Sequence, residues 1–246
     1  MQDVIKVNRS IANVKDRIYL VTSKQNLKAA KVLYDAKLYP EALFFLQQAT
    51  EKVIKSLGYH FRTIEFRDNI AHRAWEVFLI WIIQYDPKNG MKFSSIFYGS
   101  LAWKYLKNTY GISRIEELQD LLEKGKIRKI VLPDTMLDEF VAQYSEFGVR
   151  LQFIDKFEEK TFLEKLANVL IEAGTSIADF AVKTILFMTF SLDASLLLYD
   201  LAEKTRYGDE TDPASIFTDQ NLFVQKFNDL AHIIEHVQYG AGFFVT

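Results

Sequence analysis

The chain has 246 residues, of which 49% are hydrophobic, 14% aromatic and 25% charged, the composition of an ordinary globular protein. Its formal net charge of −2 leaves no overall excess of Lys and Arg to neutralise a phosphate backbone, so any contact with RNA or DNA must be local. The absence of Cys excludes disulfides, thiolate nucleophiles and Cys-ligated metals. The low counts of 10 Gly and 4 Pro favour long helices over a turn-rich sheet.

The sequence predicts a soluble, cytoplasmic protein with no membrane partner. The N-terminus lacks the basic and then apolar build of a signal peptide. Of the two most apolar stretches, residues 75–83 are too short to span a bilayer, and residues 177–201 are interrupted by charged side chains. A chain without disulfides has the cell interior as its default location.

A helical hairpin is predicted to open the chain, with its first helix over residues 14–37. The apolar side of this helix carries Leu20, Leu27, Ala30 and Tyr34. The break at Leu38-Tyr39-Pro40 is short, and Pro suits a first helical turn because its missing N–H would have no intrahelical partner there. The second helix, expected to end near Gly58 as a C-cap, has an apolar stripe at helical spacing, formed by Ala42, Leu46, Ala49, Val53 and Leu57. A short connection makes the two helices antiparallel neighbours.

The middle of the chain is predicted to hold a third helix and then several shorter elements. The third helix should begin near Asp68 or Asn69 and end before the turn at residues 86–90. Ser113-Arg-Ile-Glu116 is a capping box that opens a helix to about residue 124. Thr135-Met-Leu-Asp138 opens another helix that should close near Gly148, followed by a short extended piece over residues 149–153 and a helix over 158–174.

The last section is predicted to be helical as well. Residues 176–207 form one long helix, or two joined by a kink, and an acidic turn follows at residues 208–213. A final amphipathic helix is expected over residues 219–237, with a buried stripe of Leu222, Phe223, Phe227, Leu230 and Ile234. Residues 240–246 receive no assignment. The predicted fold class is therefore all-α, an antiparallel helical bundle.

Two separated stretches resemble the HEPN domain family. Ala36-Lys-Leu-Tyr39 with Ala42, followed by Gln47-Gln-Ala-Thr-Glu-Lys-Val-Ile-Lys55, is similar to the second-helix signature of that family. Thr205-Arg-Tyr-Gly-Asp209 resembles its Arg-Tyr-Pro-Asp element, with Gly208 in place of the usual Pro. The order and spacing of the two stretches imply a single domain over residues 1–246, in which residues 86–175 are an insertion between the third and fourth core helices.

The resemblance implies a small antiparallel helical bundle that is a homodimer. Many members of the family are RNA-cleaving toxins that use no metal, and others are partners of minimal nucleotidyltransferases. The implied functions are therefore a non-catalytic homodimer that binds a nucleotide, RNA or a partner protein such as a nucleotidyltransferase and, as the alternative, a metal-independent, toxin-like endoribonuclease. No cofactor is predicted.

The candidate catalytic residues for the nuclease alternative are Arg67 and His72. They fit the pattern of nuclease members, in which an Arg is followed after four to six residues by a His. His72 would exchange a proton with a ribose 2′-OH or a leaving oxygen, and Arg67 would hold the phosphate. The competing interpretation is a pair of helix-start residues that make capping or surface contacts. Nuclease members carry this motif near their last helices, and in the equivalent stretch here, residues 206–211, no His follows Arg206.

The candidate ligand-binding residues form a polar face on the second helix and an element late in the chain: Gln47, Glu51, Lys52, Arg206, Tyr207 and Asp209. They could line a cleft that holds a phosphate or a base. A second interpretation is that Glu51 and Lys55 are an ordinary i, i+4 pair on a solvated face. A third is that Gln47 and Glu51 bridge to Arg206 and tie two helices together.

Two other groups of residues receive a structural interpretation. The basic residues between 124 and 129 lack interleaved aromatic side chains and are expected to be a solvated helix end. His232 and His236 have the i, i+4 spacing of two metal ligands, but a surface pair near a helix end is the favoured interpretation, and no metal site is predicted.

Overall fold

The computed structural model describes residues 2–60, 100–124, 132–151, 189–206 and 212–245. Every regular element within these ranges is helical. The predicted all-α fold class is thereby confirmed. Among the described helices, none combines the length and the apolar character that crossing a membrane requires.

The helices are labelled in chain order and differ widely in length. They are α1 (Gln2–Asp35), α2 (Tyr39–His60), α3 (Leu101–Tyr110), α4 (Ile115–Glu123), α5 (Leu137–Leu151), α6 (residues 189–198), α7 (Leu201–Arg206), α8 (Pro213–Ile216), α9 (Leu222–Gln225) and α10 (Phe227–Val245). A 3₁₀ turn, Asp134–Met136, precedes α5.

Helices α1 and α2 form the predicted antiparallel hairpin. Two buried hydrogen bonds set its register: Ser23 Oγ donates to the carbonyl of Ala49 at 2.6 Å, and Ser56 Oγ donates to the carbonyl of Asp16 at 2.7 Å. The turn between the helices has Lys37 in the left-handed region, with φ of 60°. The backbone N–H of Leu38 donates to the carbonyl of Leu33, which closes α1 with a Schellman-type cap.

The core lies where the hairpin packs against α10. All five stripe residues predicted for α2 are fully buried, which confirms that stripe. Tyr34 stacks on Phe227 with ring centroids 4.1 Å apart, and Gln238 Nε2 donates to Ser23 Oγ at 2.8 Å. The helix α7 packs against α2, and α5 contacts α10.

The helix α3 is joined to α6 by a buried carboxylate. Asp193 of α6 accepts hydrogen bonds from the backbone N–H groups of Leu101 and Ala102, at 3.1 and 2.9 Å. Ser100, the N-cap of α3, accepts from the N–H of Trp103 at 3.0 Å. These three bonds satisfy N–H groups that the first turn of a helix leaves without intrahelical partners.

Several predicted boundaries were wrong. The first helix begins at Gln2 rather than at residue 14, since no Gly or Pro interrupts the chain between there and Asp35. Gly58 is not a C-cap: it is buried inside α2, which continues to His60. Val149 and Leu151 are helical rather than extended, because a short apolar run does not distinguish a strand from a helix end.

The final helix also differs from its prediction. It is divided into α9 and α10, with the break at Lys226, and α10 continues to Val245. Its end is anchored because Ala241 and Val245 are buried. Of the predicted stripe, Phe223, Phe227, Leu230 and Ile234 are buried and Leu222 is half-buried.

Two further predictions concern helix boundaries in the described part. The turn at residues 199–200 separates α6 from α7, which agrees with two helices joined by a kink. The helix predicted after Ser113 is present, but its capping box with Glu116 was wrong: the carboxylate that accepts from the Ser113 N–H is that of Glu117, at 2.7 Å, and Glu116 is exposed.

Other predictions lie outside the described residues. They include the third helix, the helix over residues 158–174, and residues 208–211 of the acidic turn. The helices α3, α4 and α5 fall within residues 86–175, and the description of that stretch as an insertion in a single domain is our proposal.

Candidate functional site

A buried carboxylate organises the polar side of α2. The side chain of Glu51 is 3% exposed, although the sequence places it on the face opposite the apolar stripe. Its Oε1 lies 2.7 Å from Lys55 Nζ and 3.3 Å from Lys52 Nζ. Two ammonium groups therefore converge on one carboxylate oxygen.

Two glutamines extend this arrangement along the helix. Gln47, which is 4% exposed, directs its Nε2 at Glu51 Oε2 over 3.5 Å. Gln48 Nε2 donates to Gln47 Oε1 at 2.6 Å. The polar face is therefore a connected hydrogen-bonded row that begins at Gln48 and ends at the Glu51 carboxylate.

The helix α7 lies against the same side of α2 and contributes Arg206. The guanidinium carbon of Arg206 lies 3.9 Å from the centroid of the Phe44 ring, a cation–π contact. This contact ties α7 to α2 through the Phe44 ring. The predicted bridge from Arg206 to Gln47 and Glu51 stays a prediction.

Aromatic and cationic side chains continue the cluster onto α1. Tyr19 of α1 and Tyr59 of α2 stack with their ring centroids 5.5 Å apart and an interplanar angle of 5°. Lys52 Nζ lies 5.9 Å from the Tyr19 centroid, and Lys15 Nζ lies 5.1 Å from the Tyr59 centroid. We call Lys15, Tyr19, Glu51, Lys52, Lys55 and Tyr59 the lysine–tyrosine cluster.

A second buried carboxylate lies beside this cluster. Asp16 of α1 is 3% exposed, and its Oδ1 accepts a hydrogen bond from the backbone N–H of Arg17 at 2.6 Å. Its Oδ2 is 3.5 Å from Nδ1 of His60 at the end of α2. The hairpin therefore brings three lysines and two carboxylates to one region.

The structure brings together part of the predicted site. Gln47, Glu51 and Lys52 are adjacent on α2, and Arg206 contacts the same helix further toward its N-terminus. The remaining predicted residues, which are Arg67, His72, Tyr207 and Asp209, lie outside the described residues.

The histidine pair of α10 has a structural role in the described residues. The rings of His232 and His236 are 4.2 Å apart, and Nδ1 of His236 is hydrogen-bonded to the hydroxyl of Tyr144 on α5. The described part of the chain contains no group of three or more metal-ligating side chains.

No sequence pattern indicated the residues that α1 contributes to this cluster. Lys15 and Tyr19 have an i, i+4 spacing that places them on one side of a helix. Their contact with Tyr59 depends on the antiparallel register of the hairpin, which brings the first part of α1 beside the end of α2. The short Leu38-Tyr39-Pro40 connection was the available signal for that pairing.

Comparison with known families now adds to this geometry. Residues 17–69 match the family model of the HEPN domain. The match covers less than half of the chain. No curated protein and no solved structure matches the chain significantly.

The HEPN match includes Tyr19 of α1 and the whole of α2, so most of the lysine–tyrosine cluster lies within it. It also includes Arg67 and ends before His72. The second stretch of resemblance, residues 205–209, lies outside the match. A HEPN domain indicates a function related to nucleotides or RNA.

Proposed function

We propose that this chain is a non-catalytic, HEPN-like homodimer that binds a nucleotide or RNA, with the phosphate held at the lysine–tyrosine cluster. The observation that carries the proposal is the convergence of Lys52 and Lys55 on the buried Glu51 carboxylate, inside the HEPN match. One carboxylate here faces two ammonium groups. An ammonium group has three N–H donors, so a lysine that contacts Glu51 can also donate to a phosphate oxygen.

The burial of Glu51 gives the cluster its preorganisation. An exposed lysine loses side-chain entropy when it binds a phosphate, and this opposes binding. Lys55 and Lys52 are already restrained by Glu51, and their side chains are only 12% and 22% exposed. A phosphate that meets them requires less additional ordering than it would at freely rotating lysines.

The tyrosine pair supports a nucleotide over an inorganic anion as the ligand. Aromatic side chains with cations beside them are the usual combination at sites that bind single-stranded nucleic acids. The half-buried Tyr19 ring stacks on Tyr59, and the Lys52 ammonium lies 5.9 Å from its centroid. The ring is therefore next to the lysine proposed to hold the phosphate.

The homodimer and the alternative of a nucleotidyltransferase partner rest on the HEPN family, whose members often dimerise and act on RNA. We also propose that Arg206, Tyr207 and Asp209 contact the ligand and form a second wall of the cleft.

The homodimer is tested by light scattering coupled to size exclusion, which gives the molar mass of the purified protein. A monomeric mass would contradict the dimer.

Ligand binding is tested by the fluorescence anisotropy of a labelled single-stranded RNA in EDTA. We expect Lys52→Gln and Lys55→Gln to weaken binding about tenfold each, which corresponds to about 1.4 kcal/mol. Loss of one phosphate contact should also reduce the slope of log K against log salt by about 0.7. Equal affinities of the wild-type protein and both variants would contradict the proposed site.

A matched control is available in Lys124, which forms an i, i+4 pair with Asp120 at 2.8 Å on an exposed surface. Lys124→Gln removes the same charge from the same kind of pair and should leave RNA binding unchanged. A thermal-shift series with mononucleotides complements the RNA assay, because a ligand that binds only the native state raises the melting temperature.

The nuclease alternative is retained because Arg67 lies within the HEPN match and His72 follows it at the spacing of nuclease members. The same labelled RNA, incubated in EDTA at high protein concentration, tests it directly. Cleavage that is lost in His72→Ala would establish the nuclease and overturn the non-catalytic proposal. Intact RNA would exclude metal-independent cleavage of that substrate.

A further inference from the structure

The outer face of α1 carries a row of exposed aliphatic side chains. Val14, Ile18, Val21 and Val32 are 55%, 57%, 54% and 60% exposed. They lie on the side of α1 opposite the buried stripe and outside the core that the described residues form. A surface helix normally presents polar residues on this side.

The spacing of these residues is that of a coiled-coil seam. Ile18 and Val32 occupy one position of a seven-residue repeat, and Val14 and Val21 occupy the position three residues further on. The sequence continues the same repeat toward the N-terminus with Val4, Val7 and Ile11. Gln25 and Lys28 occupy the seam positions between Val21 and Val32, so the aliphatic row is continuous from Val14 to Val21 only. Apolar residues at these two heptad positions are the pattern that packs against a facing helix.

One edge of this seam is cationic. Arg17 and Lys24 are exposed and flank the row on one side, and the exposed Lys28 lies within it. Between residues 14 and 34 the only acidic residue is Asp16, which is buried on the other side of the helix, and the exposed Asp35 follows at the end of the row. Lys31, at the same edge, pairs with Glu235 of α10 at 2.9 Å.

The charge pattern disfavours a second copy of this chain as the occupant. In an antiparallel pair of identical helices, the edge that carries Arg17 and Lys24 would face itself, and like charges at these positions repel. In a parallel pair it would face the edge with Thr22 and Ala29, which offers no compensating charge. A helix with acidic residues at its edges complements both the aliphatic row and the cations.

We propose that the outer face of α1 binds an acidic amphipathic α-helix of a partner protein. The row contains no aromatic residue, so stacking with nucleic-acid bases is not its chemistry. It is also a narrow row of Val and Ile, whereas helices that lie on membranes use a broad face with Trp, Phe or Leu. This interface is separate from the lysine–tyrosine cluster and does not depend on nucleotide binding.

The probes are two designed 21-residue helical peptides with Ile and Leu at the seam positions of their heptads. One carries Glu at every edge position and the other carries Lys. We expect the full-length protein to bind the fluorescein-labelled acidic peptide at least tenfold more tightly than the basic one, measured by anisotropy. Equal binding of the two peptides, or no binding of either, would overturn the proposal.

Two sets of variants locate the interface. Ile18→Ser combined with Val21→Ser should abolish binding of the acidic peptide, whereas Leu38→Ser and Ile216→Ser, which alter exposed apolar residues elsewhere, should not. Arg17→Glu combined with Lys24→Glu should reverse the preference in favour of the basic peptide. Because all these side chains are exposed, circular dichroism should show an unchanged fold.

Two other occupants would be recognised by their own results. If Ile18→Ser with Val21→Ser converts a dimer to a monomer, the face pairs with a second copy and the proposal is wrong. If the protein binds phosphatidylcholine–phosphatidylglycerol vesicles through Ile18 and Val21 and shows no preference between the peptides, the occupant is a membrane surface. RNA binding by these variants should equal that of the wild type, which separates this test from that of the proposed function.

Discussion

Two carboxylates cap helices in the middle of this chain, and their environments differ. Asp193 accepts the first two N–H groups of α3 at 3.1 and 2.9 Å, and it belongs to a helix more than 90 residues later in the sequence. Glu117 accepts the N–H groups of Ser113 and Arg114 before α4, at 2.7 and 3.4 Å, from within its own helix. Asp193 is 1% exposed, whereas the Glu117 side chain is 36% exposed.

The pKa values of the two groups move in opposite directions. Burial raises the pKa of Asp193 to about 7, even though the N–H groups of Ala102 and Leu101 favour the charged form. The backbone hydrogen bond from Ser113 lowers the pKa of Glu117, because little desolvation opposes it. The same hydrogen-bonding role therefore has opposite consequences, and burial decides the sign.

The largest expected effect is a pH dependence of stability that originates at Asp193. Between about pH 4 and pH 7 the native protein holds a proton on Asp193 that the unfolded chain releases, so stability falls as the pH rises. The slope approaches about 1.4 kcal/mol per pH unit. Urea unfolding of the wild type and of Asp193→Asn, at steps of pH, should show this slope in the wild type and its loss in the variant. Parallel curves would contradict the raised pKa.

The next effect is the loss of the cap itself. At pH 5, where the native Asp193 is neutral, Asp193→Ala should lower the free energy of unfolding by roughly 2–3 kcal/mol, because it leaves two buried N–H groups without an acceptor. Hydrogen exchange should show the Leu101 and Ala102 amides losing protection first. The deficit should shrink as the pH rises to 8, since the wild type then contains a buried charge that the variant lacks. An equal loss of unfolding free energy at pH 5 and pH 8 would be evidence that burying the Asp193 charge does not destabilise the wild type.

A smaller effect is expected at the local cap of the same helix. Ser100→Ala removes the acceptor of the Trp103 N–H and should cost about 1 kcal/mol. Because a hydroxyl does not titrate in this range, the cost should be independent of pH. This variant therefore serves as the control for both Asp193 variants, and a pH-dependent cost would indicate that Ser100 and Asp193 are coupled.

The smallest effect is expected at Glu117. Its lowered pKa means that its contribution to stability is present above its ordinary pKa and is lost as the pH falls. Glu117→Gln should lower the melting temperature slightly at pH 7 and by less at pH 3, the reverse of the Asp193 variants. A larger drop in melting temperature at pH 3 than at pH 7 would contradict the lowered pKa of Glu117.

These two caps also separate what could be predicted from what could not. The helix start at Ser113 was recognised in the sequence, although its carboxylate is Glu117 and not Glu116, because the partners lie within about one turn of each other. Asp193 entered the sequence analysis only as a charge that interrupts an apolar run. Its partners are distant in the sequence, and no local pattern identifies them.

In the candidate site, too, some features could be predicted from the sequence and others could not. The signature from Gln47 to Lys55 predicted the HEPN relationship, and the match over residues 17–69 confirmed it. The i, i+4 spacing of Glu51 and Lys55 was also evident. The burial of Glu51 was not, because it depends on how other helices pack over the polar side of α2, and the contact between Arg206 and Phe44 depends on the same packing.

Helical periodicity, short connections and capping patterns determined the fold class, the hairpin and its buried stripe, since each acts between residues within a few turns of one another. Packing determined which polar groups lie inside. It enclosed Glu51 and Asp193 and left Val14, Ile18 and Val21 exposed. The reason is that the free energy of a charged or apolar side chain depends on whether a distant helix excludes water from it, and such contacts leave no periodic pattern in the sequence.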